Sequence, residues 1–260
     1  MKHIVFFLLI VLGTCFISCK EKPIDDVRVP SLVLQFNELF EGADIAFDTM
    51  QYFSEAGNPF YITEIKYFIS NICLYKGGQK IKISYQDGLH YVETNYPDTK
   101  KWNICQSLAK DNYDSIGFTF GLTDAINITN AFPNSPENSM TWPTILGGGY
   151  HYMMLNGKYL YNDTLYPMNI HLGRGQIYQS QTPNTDSIIG FIDNSFEVTL
   201  PYSFSFNGST QTININMNVE NWFKEPFVYD IAYWGSSIMQ NQAAMQMLKE
   251  NGTKNVFTIY

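Results

Sequence analysis

Phe196-Glu197-Val198-Thr199-Leu200-Pro201-Tyr202-Ser203-Phe204-Ser205-Phe206 is followed, after Asn207-Gly208-Ser209-Thr210, by Gln211-Thr212-Ile213-Asn214-Ile215-Asn216-Met217-Asn218-Val219. Apolar and polar residues alternate with a period of two through both runs, the pattern of strands with one buried face. Phe196, Val198, Leu200, Tyr202, Phe204 and Phe206 point one way, and Ile213, Ile215, Met217 and Val219 form a matching face. Two such faces bury themselves by packing on one another, which predicts a sandwich. Asn207-Gly208 has the composition of a two-residue turn, and the pair reads as a β-hairpin.

The same alternation extends outward along the chain. Leu32, Leu34 and Phe36 share a face of Ser31–Asn37, and Ile81, Ile83 and Tyr85 alternate with Lys80, Lys82 and Ser84. Lys76-Gly77-Gly78-Gln79 reads as a hairpin turn, and Asn156-Gly157 as another inside Tyr150–Leu160. One segment breaks the period. Ser237–Glu250 places Ile238, Asn241, Met245 and Leu248 at three- and four-residue spacings, with Ser237 at the N-cap and Asn251-Gly252 at the C-terminal end. The expected fold is an all-β antiparallel β-sandwich with one short C-terminal helix, followed by a last strand at Asn255–Tyr260. No low-complexity tract or repeat interrupts residues 31–260, which read as a single domain.

Composition narrows the function. Of 260 residues, 45% are hydrophobic and 15% charged, which excludes a disordered polymer. Sixteen basic side chains stand against 24 acidic ones, net −8. Nucleic-acid binding needs a dense basic stripe, and Lys100-Lys101 is the nearest approach to one, so that role is discarded. The N-terminus reads as a leader, either that of a lipoprotein or an ordinary secretory signal cut nearby. Lys2 precedes the apolar run Ile4–Leu12, which is too short to span a bilayer, and the run ends in Phe16-Ile17-Ser18-Cys19. This ending resembles a bacterial lipobox, in which the cysteine is acylated and becomes the first mature residue. Residues 1–18 are then a lipoprotein signal peptide and 19–30 a tether anchored through Cys19, placing the protein in a Gram-negative cell envelope at the periplasmic or outer-membrane face. Cys73 and Cys105 remain, as one disulfide or as two buried thiols.

Catalytic motifs are missing: there is no nucleophile elbow, Walker loop, haem-attachment pair, zincin helix or dinucleotide fingerprint. Gly147-Gly148-Gly149 lacks the Lys-Ser/Thr of a phosphate loop and reads as an approach to the strand at Tyr150. Residues 19–260 hold three histidines, His90, His151 and His171. The period of two puts His151 on a face with Met153 and Leu155, and His171 on a face with Asn169 and Gly173. Imidazole with thioether suits copper, particularly Cu(I); the alternative is that each histidine is solvated or hydrogen-bonded and each methionine fills a core gap.

Several stretches together resemble the MbnP-like family of copper-binding envelope proteins. They are Leu32-Val33-Leu34-Gln35-Phe36, the long run Phe60–Leu74, Tyr113-Asp114-Ser115-Ile116-Gly117-Phe118-Thr119-Phe120-Gly121, Met140-Thr141-Trp142-Pro143 with Gly149-Tyr150, Met153–Gly157, Ile170-His171-Leu172-Gly173, and Ile238-Met239 ahead of Asn251 and Phe257. The resemblance implies a β-rich, non-catalytic domain that binds copper for sequestration or transfer, in some members beside a tryptophan oxidised by a partner di-haem enzyme. It carries the modifiable residue to Trp142, a ligand to His171 and a further ligand to Met239; strand arithmetic adds His151 and Met153. One position departs: members carry a histidine in or just after the first strand, where this chain has Phe36-Asn37-Glu38. That departure supports an alternative, a metal-free sandwich module binding a glycan or envelope protein through Trp142 and the tyrosines between Tyr150 and Tyr166.

Overall fold

A computed structural model describes residues 31–104, 108–180 and 184–259. In chain order the strands are β1 (Leu32–Phe40), β2 (Ala43–Asp44), β3 (Tyr52–Phe53), β4 (Pro59–Lys76), β5 (Gln79–Lys82), β6 (His90–Glu93), β7 (Lys101–Ile104) and β8 (Asp111–Phe120). They continue with β9 (Met153–Tyr161), β10 (Thr164–Leu172), β11 (Gly175–Tyr178), β12 (Ile188–Ile192), β13 (Phe196–Phe206), β14 (Gln211–Asn218) and β15 (Phe257–Ile259). Two helices, α1 (Ile231–Trp234) and α2 (Gln242–Gly252), lie between β14 and β15.

The strands form the two sheets of a sandwich and one separate β11–β12 ribbon. The smaller sheet runs β15-β14-β1-β2, with β7 also on β1; the larger runs β10-β9-β4-β8-β13, with β3, β5 and β6 also on β4. Leu32, Leu34 and Phe36 of β1, Ile213, Ile215 and Met217 of β14, and Phe196, Val198, Leu200, Phe204 and Phe206 of β13 meet in the main core between the sheets. A second core lies on the outer face of the larger sheet, where the segment 121–152 covers Phe68 and Tyr91 with Leu122, Met140, Tyr150 and Tyr152. The larger sheet is therefore buried on both faces over part of its area, a condition that continuous runs such as Tyr67-Phe68-Ile69 satisfy.

Three sequence expectations are corrected. Asn207-Gly208 does not close a hairpin: β13 pairs with β8 and β14 with β1, so the turn carries the chain from one sheet to the other. The two apolar faces look at each other across the core, which alternation alone does not distinguish from two strands side by side. The β1–β14 pairing is parallel in an otherwise antiparallel sandwich. Asn156-Gly157 lies within continuous β9, and the turn falls at Asn162-Asp163, whose φ angles of 48° and 59° suit a twisted two-residue hairpin. Gly157 serves close approach instead, since a Cβ there would lie 1.9 Å from the Tyr61 carbonyl oxygen beside an irregularity in β4. The helix starts later than its periodicity implied. Asn241, not Ser237, caps α2 by accepting from the Ala244 amide at 3.2 Å, while Ser237 forms a bridge to Asn169. Gly252 ends α2 packed on Phe196 and Trp222, and Asn251 is spent inward, donating to the Trp222 and Phe227 carbonyls.

The two kinds of glycine are separable by substitution. Gly157→Ala is expected to destabilise by about 2 kcal/mol or more through overpacking against the β4 backbone. Gly190→Ala, whose new methyl would find its nearest neighbour at 3.4 Å, is expected to change stability by less than about 0.5 kcal/mol. Urea denaturation of both variants checks the pair.

Candidate metal centre

Register builds the site. His171 on β10 pairs with Met154 on β9, Met154 with Lys66 on β4, and Lys66 with Glu93 on β6. Residues directly opposite in adjacent strands point to the same face, so these four side chains form one row across the outer face of the larger sheet. The next row is Glu64, Asn156 and Asn169. Above them the chain doubles back: Thr141 bridges Tyr150, the Trp142 amide donates to the Gly149 carbonyl at 2.8 Å, and the His151 amide to the Met140 carbonyl at 2.7 Å. Tyr150 is in turn held by Asn127, whose Oδ1 accepts from its amide at 2.8 Å. This short ladder lays His151 over β10. The His151 ring lies 4.9 Å from that of His171, at an interplanar angle of 89°, and 4.6 Å from that of Trp142. Trp142 is fully buried, donates through Nε1 to the Leu146 carbonyl at 3.2 Å, and rests on Gly173, where a Cβ would strike its ring.

Hydrogen bonds settle the protonation of both imidazoles. His151 Nδ1 lies 2.9 Å from the Met140 carbonyl oxygen, an acceptor only, so Nδ1 carries the proton and Nε2 a lone pair. That Nε2 is buried and has no hydrogen-bond partner. Asn156 Nδ2 donates to Glu64 Oε1 at 2.8 Å, which turns the amide oxygen toward His171 Nε2, also at 2.8 Å. His171 Nε2 is thus the donor, and Nδ1 keeps the lone pair. Burial pushes His151 down to about 4, against the Met140 hydrogen bond and with help from the Lys66 ammonium. Burial, then His151, then Lys66 push His171 down to about 3. Both rings are neutral at pH 7, the state in which imidazole ligates a metal.

Lys66 completes the arrangement. Its Nζ lies 3.1 Å from Glu64 and 3.6 Å from Glu93, and Glu93 also accepts from the Tyr91 hydroxyl at 2.5 Å. Two neutral nitrogens and the half-buried Met154 thioether make a soft donor set. Among the described residues no three His, Cys, Asp or Glu side chains gather to hold a metal, so a tetrahedral zinc site of those ligands does not fit.

A family model described as MbnP matches residues 29–243. The chain belongs to the MbnP family. Among solved structures it is similar to MbnP from Methylosinus trichosporium, with 12% sequence identity, 78% of this chain and 79% of that chain covered, and a TM-score of 0.48. No curated protein sequence matches it.

Of the residues to which the sequence pointed, this MbnP-family fold brings together His151, His171 and Trp142. Met153 is elsewhere: it pairs with Leu172 and Tyr67 on the opposite face of β9 and is buried in the main core. His151 precedes β9 and escapes the strand's alternation, so Met154 shares the histidine face. Counting outward from His171 through the strand register, rather than from His151 along the chain, is the signal that finds Met154, Asn156 and Lys66. Met239 is half-buried against the main core, two residues beyond the Ser237 bridge to Asn169. His90 is a packing residue, stacked on Trp102 at 5.0 Å with its Nε2 2.7 Å from the Thr99 carbonyl oxygen. Asn37 lies on the smaller sheet and donates to Asn216 at 2.9 Å, with the main core between it and the histidine pair. Cys73 is a buried thiol donating to the Gly117 carbonyl, while Cys105 and Cys19 lie outside the described residues. Of the aromatic residues named for a glycan or protein contact, Trp142, Tyr150, Tyr152 and Tyr159 are buried, and Tyr161 and Tyr166 are exposed.

The depressed histidines make stability depend on pH. An unfolded imidazole takes up its proton near 6.5, whereas these take it up only near 4 and 3. Between those values the unfolded chain binds more protons, so stability is full above about pH 6.5 and falls as pH is lowered, by up to about 1.4 kcal/mol per unit for each group. Urea denaturation between pH 4.5 and 7.5 is expected to show this fall, and His151→Asn with His171→Asn to make it shallower; equal slopes would refute the assignment.

Proposed function

We propose that this protein is a non-catalytic copper binder of the cell envelope, tethered through acylated Cys19, that sequesters the ion or hands it on. The ion is cargo, held by His151 Nε2 and His171 Nδ1 with Met154 as thioether. The observation that carries this reading is the orphaned lone pair of His151: it is buried, unpartnered and beside a second neutral imidazole. A buried acceptor without a donor disfavours the fold by roughly 1–3 kcal/mol, and a metal that accepts electron density from it removes that penalty. Trp142 is packed against His151 and is the residue that a di-haem partner would oxidise by the family resemblance. In the present fold its ring has no open surface, so such a partner would act by electron transfer through the protein or after local opening.

The histidine-asparagine-glutamate chain supports the same reading. Metal-bound imidazoles commonly donate their second nitrogen to an oxygen acceptor, which fixes ring orientation. His171 does so through Asn156, and His151 through the Met140 carbonyl.

Exposure of the mature protein to equal amounts of copper, zinc and nickel, followed by desalting and elemental analysis, is expected to leave about one copper per chain. Replacing His151 and His171 together by Ala should abolish retention, and Asn156→Ala should weaken binding about 10–100-fold by freeing the His171 ring. Copper retained undiminished by the double variant would overturn the assignment.

A further inference from the structure

We propose that Lys66 sets the charge of the ion this site accepts, so that a monovalent cation is admitted and divalent cations are rejected. The proposal rests on the copper reading above and extends it from the atoms that bind the ion to the residue that sets which ionic charge they accept.

Lys66 is an unusual residue to find in the middle of a sheet covered on that face. It is flanked by β6 on one edge and β9 on the other, and its side chain is only 12% exposed. One strand, β9 with Met154 in the same row, separates it from His171. The ionic groups around the pair are few. Beyond the two imidazoles, β4 contributes Glu64 and Lys66 and β6 contributes Glu93 with the Tyr91 hydroxyl. β9 and β10 present Met154, Asn156 and Asn169, and the overlying segment presents Met140, Trp142 and Tyr150.

One ammonium and two carboxylates leave a single net negative charge. A monovalent ion on the neutral imidazoles makes the partly buried assembly electrically neutral. A divalent ion leaves an uncompensated positive charge in a low-dielectric site, which is strongly unfavourable. Direct repulsion acts in the same direction, because the ammonium repels an ion in proportion to the ion's charge. Neither carboxylate is free to counter this by ligating the metal: Glu64 is bound to Lys66 and Asn156, and Glu93 to Lys66 and Tyr91. Without Lys66 the same cluster carries two negative charges, and a divalent ion becomes the neutralising one.

The test is metal competition on the mature full-length protein. Cu(I) affinity is measured anaerobically against a chromophoric chelator, and Zn(II) affinity by calorimetry, for wild type, Lys66→Met, Lys66→Arg and Glu64→Gln. Lys66→Met is expected to raise the Zn(II)-to-Cu(I) affinity ratio at least about tenfold, and Lys66→Arg, which keeps the charge, to leave it near the wild-type value. Glu64→Gln, whose amide oxygen still accepts from Asn156, is expected to lower the ratio and keeps the proposal testable if Lys66→Met does not fold. Copper bound by wild type with the ratio unmoved in Lys66→Met or, should that variant be unfolded, in Glu64→Gln overturns the role of Lys66 alone. Wild type that binds neither ion, or whose copper survives removal of both histidines, overturns the copper reading and this proposal with it.

Discussion

Strand β4 is the constraint on which the architecture turns. Its eighteen residues pair along both edges, and its side chains must serve the main core on one face and the covered outer surface on the other. A strict period of two cannot do this with the residues present, because Phe60 and Ile62 are out of phase with Ile65, Tyr67 and Ile69, and these with Ile72 and Leu74. All seven are nonetheless buried in the main core. The phase is restored by register shifts, one between Ile62 and Glu64 and one between Ser70 and Cys73, the second containing Asn71 at a φ of 53°. Each inserts an extra residue and returns the apolar set to the core. The first shift also decides the site. It turns Glu64, Lys66 and Phe68 outward together, beneath His171 and the overlying segment.

That overlying segment depends on a different economy. Gly147, Gly148 and Gly149 all have positive φ, and a Cβ on any of them would collide with Phe191, Thr129 or Asn127. The sequence reading of these glycines as an approach to a strand understates them, since they fold 140–151 into a closed loop with Trp142 and His151 on its inner side. Thr129 Oγ1 and Asn127 Oδ1 accept hydrogen bonds from the amides of Gly149 and Tyr150, each at 2.8 Å, so these two amides are satisfied by side chains of a neighbouring segment. A second core of aromatic rings, with Phe68 stacked 5.4 Å from Phe132 and Tyr91 at 5.3 Å, clamps it to the sheet. The histidine pair is therefore held between a sheet and a packed loop, which is how a donor set gains geometric definition.

What was legible in the sequence followed from local physics. Alternation identifies the strands, Gly77-Gly78 closes the β4–β5 hairpin, and the apolar spacing of Met245 and Leu248 marks the helix. Features set by partner strands were not legible. Asn207-Gly208 has the same composition whether it joins neighbours in one sheet or links two sheets, because the outcome depends on β1 offering β14 a parallel edge and β8 offering β13 an antiparallel one. Met153 and Met154 are adjacent and chemically identical, and only the register with Tyr67 and Lys66 assigns one to the core and the other to the histidines. Lys66 sits in the most apolar-looking strand of the chain, where a lone lysine reads as an edge or a solvated position. Its carboxylate partners are two and twenty-seven residues away, and only the second shows that the lysine is held within the fold.

Two buried ionic clusters make an instructive contrast. In the sandwich interior, Glu38 occupies a core-facing position of β1, where its Oε1 accepts from the Tyr67 hydroxyl at 2.9 Å and its Oε2 is held by ion pairing with Lys100 at 2.8 Å. Burial and the neighbouring carboxylate hold the Tyr67 hydroxyl in its neutral, donating form. On the outer face the Glu64–Lys66–Glu93 cluster is satisfied in the same manner, yet the two imidazoles beside it are not: each has one nitrogen fixed by an oxygen, and the second nitrogen of His151 is sealed from water without a donor. The main core likewise leaves Trp222 Nε1 and the Tyr229 hydroxyl without a hydrogen-bond partner, so an orphaned atom alone does not mark a site; the His151 nitrogen differs in lying beside a second neutral imidazole. A bare nitrogen on a ring whose tautomer, orientation and charge are already fixed is the position that the proposed ion from outside the chain would fill.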